Sequence, residues 1–150
     1  MTRVPAPVEI VVDAANVMGS RPDGWWRDRA GAAIRLLQAL AVLPGQVLPD
    51  GAPDGAGSGP RQVARVLAVV EGQARRIPEV EGVSLVRSTT DGDSAVVQTC
   101  RSVLEGGGVP LAVTADRGLR ARLPAGTLVA GPRWLLNILD GHPGTARTPG

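Results

Sequence analysis

The 150-residue chain has no lysine and no tyrosine, and only one histidine and one cysteine. Each absence removes a class of chemistry. Without lysine there is no Walker-type phosphate loop, no Schiff base, and no aspartate pocket of the phosphatase or receiver kind, which a lysine completes. The single histidine, His142, sits in a Pro/Gly-rich tail, which argues against Ser-His and Cys-His nucleophilic catalysis. The lone Cys100 can close no internal disulfide and build no structural zinc site. Carboxylates, hydroxyls, arginines and a hard metal ion remain for catalysis.

The charge balance is less telling. All 16 cationic residues are arginine and the formal net charge is +2, while the sequence pI is about 9.9. Arginine does not deprotonate in this range, so the pI overstates the basic field, and global charge alone does not demand nucleic acid. An apolar fraction of 43% supports a globular fold. The length suits one domain, expected over residues 1–140, with a flexible Gly/Pro/Ser loop at 44–61 and a disordered tail at 141–150. The apolar stretch after Pro7 is short and carries Glu9 and Asp13, which speaks against a signal peptide or a membrane span. A cytoplasmic protein is the expectation.

What is present is organised around Val8 to Asn16, V-E-I-V-V-D-A-A-N. The run Val8–Val12 reads as a central parallel strand buried on both faces, ending at Asp13. Asn16 falls in the turn that should open the next helix. Further strands are predicted near 63–70, 83–87, 109–114 and 127–130. The spacing predicts helices over Trp25–Leu43, with Asp23 as N-cap, from Asp93 to Gly106, after Asp116, and from Gly131-Pro132 to Leu139. Trp25 and Trp26 read as packing at a helix start rather than as a base-stacking platform. Cys100 reads as a core residue. Alternating strands and helices imply an α/β three-layer sandwich around a parallel sheet of about five strands in order 3-2-1-4-5.

Asp13, Asp93 and Asp116 each follow a strand, so a parallel sheet gathers them on the edge where open α/β sheets bind ligands. Glu71 and Asp91 are nearby candidates. Singly, Asp93 and Asp116 read as helix caps. Together, carboxylates on one edge repel one another unless a cation or arginine neutralises them, and oxygen-only donors favour Mg²⁺ or Mn²⁺. Such a site can activate water and stabilise charge on a phosphate.

D-A-A-N at 13–16, G-D-S-A-V-V at 92–97 and T-A-D-R-G-L at 114–119 resemble, in order and placement, the acidic motifs of PIN-like domains of the NYN branch. The resemblance spans roughly Val8 to Leu139. It implies a metal-dependent ribonuclease with Asp13, Asp93 and Asp116 as Mg²⁺ or Mn²⁺ ligands and Asn16 orienting ligands or water. Arg75, Arg76 and Arg117 would then contact RNA phosphates. Two positions depart from the pattern, since Ser94 and Arg120 stand where many members carry further acids. A catalytically reduced domain that binds RNA or protein is therefore the alternative, and a small-molecule phosphohydrolase a third. A homodimer stays open.

Overall fold

A computed structural model describes residues 7–21, 24–48, 61–89 and 91–141. The run Val8–Asp13 forms β1, with β3 (Arg61–Val70) on one side and β5 (Pro110–Val113) on the other, both parallel to it. Beyond β3 lies β4 (Ser84–Arg87), and beyond β5 lies β6 (Leu128–Ala130), again parallel. Side chains on β1 alternate between two cores. Ile10 and Val12 face one cluster with Val66 and Leu111, while Val11 faces another with Leu67 and Ala112. Burial on both faces is what the apolar run Ile10–Val12 requires, with half-buried Glu9 the one exception before it.

The first face is covered by α1 (Ala14–Gly19), α2 (Arg29–Leu40) and α5 (Pro132–Gly141). The second is covered by α3 (Gly92–Glu105), whose Val96, Val97, Cys100 and Val103 pack on the sheet, together with Leu119 of α4 (Arg117–Arg122). The fold is thus mixed α/β with a largely parallel sheet.

The expected strand order is compatible with this sheet but does not reproduce it. A sixth strand, β2 (Val47–Leu48), pairs antiparallel with the start of β3 inside the segment expected to be loop. Two residues carry no periodicity, so the sequence pattern could not reveal it. Residues 49–60 of that segment and 142–150 of the tail lie outside the described residues. The expected helix from Trp25 to Leu43 is also corrected. Trp25–Arg27 form a 3-10 turn, and α2 begins only after Asp28, whose Oδ1 accepts from the Gly31 N–H at 2.9 Å. Asp23, expected as the cap, lies outside the described residues. The break leaves Trp26 54% exposed, contrary to the expected packing role.

Among the described residues no helix is long and apolar enough to cross a membrane.

Candidate functional site

Because β1, β3 and β5 run in parallel, their C-terminal ends share one edge. Asp13 ends β1, Glu71 follows β3, and Thr114 to Asp116 follow β5. Asp91 and Asp93 join them at the start of α3, which leaves the same end of β4.

Asp13 is buried and already engaged. Its Oδ1 accepts from the Asn16 N–H at 3.5 Å, capping α1, and its Oδ2 accepts from the Thr114 hydroxyl at 3.0 Å. Thr114 is fully buried and ties four elements together. Its Oγ1 also accepts from the Asp116 N–H at 3.2 Å, and its N–H donates to the Ala130 carbonyl of β6. Its own carbonyl accepts from Arg120 Nε of α4 at 2.9 Å. Thr114 falls within the motif at 114–119, where the sequence alone assigned it no role. A hydroxyl two residues before a strand-end aspartate was the available signal. Asn16 lies inside α1 rather than in the turn before it, and its Oδ1 accepts from the Ala115 N–H at 2.8 Å.

The other acids divide between capping and standing free. Asp116 caps α4, accepting from the Leu119 N–H at 3.0 Å. The cap of α3 is Asp91, which accepts from the Ser94 N–H and hydroxyl at 2.7 and 3.1 Å. Asp93, expected to open that helix, lies within its first turn, and among the described residues its side chain accepts no hydrogen bond. Glu71 accepts from the Gly92 N–H and so ties the end of β3 to α3. A Cβ at position 92 would sit 2.7 Å from Glu71 Oε2, so glycine is what allows this approach.

The electrostatics link the acids. Burial lifts the Asp13 carboxyl above the ordinary range, helped by the charges of Asp93 and Glu71 and opposed by the bonds from Thr114 and Asn16. Asp93 is raised by partial burial and by Asp116, Asp91 and Glu71, with Arg122 opposing. Exposed Asp91 is lowered by its bonds from Ser94. Arg122, which also reaches the Ser94 hydroxyl at 3.1 Å, was not singled out from sequence. Nor was the bond by which Arg120 holds Thr114.

The donor set has the chemistry of a hard-cation site: carboxylates and hydroxyls, with no soft ligand among them. Its spacing is open, for among the described residues no three acids close around a single point. Mg²⁺ needs only one or two carboxylates, because it keeps several waters.

Of the predicted phosphate contacts, Arg76 is exposed in the 3-10 turn Gly72–Arg76, beside Glu71, and Arg117 is exposed at the start of α4. Arg75 lies in the same turn as Arg76. All three positions therefore fall along the acidic edge.

The fold has a parallel among solved structures. The chain is similar in fold to Rae1 (YacP) from Bacillus subtilis. One Rae1 crystal structure superposes with a TM-score of 0.63 at 14% identity, covering 93% of this chain and 74% of Rae1. The W164L mutant of Rae1 gives 0.59 at 17% identity, covering 88% and 74%. At such identities the likeness to Rae1 is one of fold. No family model and no curated protein matches the sequence.

Proposed function

We propose that this protein is a metal-dependent ribonuclease of PIN/NYN type that hydrolyses RNA phosphodiester bonds. One observation carries the reading: the parallel strands bring Asp13, Glu71, Asp91, Asp93 and Asp116 to one edge of the sheet. Such a gathering of acids at a ligand-binding edge suits a bound cation, and the raised Asp13 and Asp93, shifted chiefly by burial, agree with it. The motif resemblance and the Rae1-like fold support the same reading.

Asp13 and Asp93 would hold Mg²⁺ or Mn²⁺, with Asp116 alongside. Bound there, the ion would supply a more acidic water and neutralise charge on the phosphate. The chain's own residues do the positioning. Thr114 fixes the Asp13 carboxylate through Oδ2, and Ala115 fixes the Asn16 amide through Oδ1. Arg75, Arg76 and Arg117 flank the edge and would steer phosphates without reading bases. A cytoplasmic location goes with this activity.

A second reading, a reduced domain that only binds RNA or a protein, is favoured by the open spacing of the acids and by the capping duties of Asp91 and Asp116. Hydrolysis of labelled single-stranded RNA separates the two. The nuclease reading expects cleavage with Mn²⁺, none with excess EDTA, and a loss of about 100-fold or more in Asp93→Asn, which removes transition-state stabilisation at the phosphate. RNA bound but uncleaved by wild type, with or without Mn²⁺, refutes it and leaves the binding domain.

A further inference from the structure

Beside the acidic edge, on the side away from β3, an open groove of about 420 Å³ runs between α1 and the start of α5. Its floor is made of small residues, Ala15, Gly19 and Ala115, and its polar wall of Asn16, Ser20 and Arg133. None of its lining residues is a carboxylate, unlike the edge it adjoins. The Ser20 hydroxyl donates to the Val17 carbonyl at 2.7 Å, but the donors of Asn16 and Arg133 are available. The bond from Ala115 N–H occupies Asn16 Oδ1, leaving the Nδ2 amide hydrogens without an acceptor among the described residues. Exposed Arg133 makes no ion pair among those residues. A wall of donors over a floor of small side chains suits an anion with bulk around it, and Asn16 stands at the junction of groove and acids.

Resting on the ribonuclease reading above, we propose that this groove binds the phosphate next to the scissile one. A single RNA strand then leaves the acidic edge between α1 and α5, clamped by Arg133 and the Asn16 amide. The contact is to backbone, so it is indifferent to base identity. The groove assigns a path to the bound strand: Arg76 meets it on the β3 side, and Arg133 meets it on the β6 side.

Fluorescence anisotropy with a labelled single-stranded RNA and no added metal tests this without relying on turnover. Arg133→Ala is expected to weaken binding about fivefold at about 50 mM salt and to reduce the slope of log affinity against log salt by about one. Arg133→Lys should restore most of the affinity. Arg101→Ala removes the same charge from the exposed face of α3 and should change neither quantity. Ala115→Trp fills the groove while keeping every donor, and should weaken binding as well. If wild type binds and Arg133→Ala behaves like Arg101→Ala, the groove assignment is overturned while the ribonuclease reading stands. If wild type binds no RNA, the groove assignment falls, while the ribonuclease reading is decided separately by cleavage with Mn²⁺.

Discussion

Replacing Asp13 by Asn removes one buried charge and keeps the shape, and its effect should depend on pH in a defined direction. In the unfolded chain Asp13 ionises near the ordinary value of 3.8, whereas in the folded protein its pKa is raised, chiefly by burial. Between those two values the folded state binds more protons, so stability falls as pH rises through the window. Below the unfolded value there is no penalty. Above the raised value the full penalty applies, about 1.4 kcal/mol for each unit of elevation. Asparagine has no such penalty, but it loses something. Its oxygen can still accept from the Asn16 N–H, which leaves its amide facing Thr114 Oγ1. That hydroxyl already accepts from Asp116 N–H, and its own proton then has no acceptor, a loss of about 1 kcal/mol. The mutant should therefore be the less stable protein at acid pH and gain on wild type as pH rises. Asp93 reinforces the trend, because removing the charge at position 13 relieves it too. Urea unfolding followed by circular dichroism, from about pH 3 to about pH 7, reads the difference directly. Mn²⁺ at about 100 times its dissociation constant should stabilise wild type by about 2.7 kcal/mol and leave the mutant unchanged. A difference that stays flat, or moves against the mutant with rising pH, would show that bonding to the carboxylate outweighs its burial and repulsion. The charge argument for a cation site would then fail.

Two further outcomes test the surrounding structure. Burial pushes the Cys100 thiol up to about 12, so a thiol reagent at neutral pH should label it only as fast as the protein unfolds; rapid stoichiometric labelling of the native chain would contradict its place in the α3 core. Gly92→Ala puts a methyl 2.7 Å from Glu71 Oε2; the flexible glutamate can swing away, but the bond from Gly92 N–H is lost, at a cost of about 1 kcal/mol by urea unfolding, and an unaffected midpoint would argue against that link between β3 and α3.

Much of the architecture was legible in the sequence for one physical reason. A strand buried on both faces must be apolar at successive positions, so Val8–Val12 announces itself without reference to anything distant. Alternation with helices then implies parallel strands, and parallel strands bring Asp13, Asp93 and Asp116 to one edge. The cores on the two faces of β1, around Ile10 on one side and Val11 with Cys100 on the other, follow from the same patterns. The failures also share a cause. β2 is two residues long and exists only because β3 offers it an unpaired edge. Trp26 is exposed because Asp28 starts the helix later than periodicity suggests. Whether an aspartate caps a helix or stands free depends on backbone geometry at the junction, and residue type is the same in both cases; hence Asp91, not Asp93, caps α3. The tertiary structure alone decided the roles of Thr114, Arg120 and the Glu71–Gly92 bond. Asp13 and Thr114 are 101 positions apart, and no local pattern encodes a hydrogen bond that forms only when two strands lie side by side.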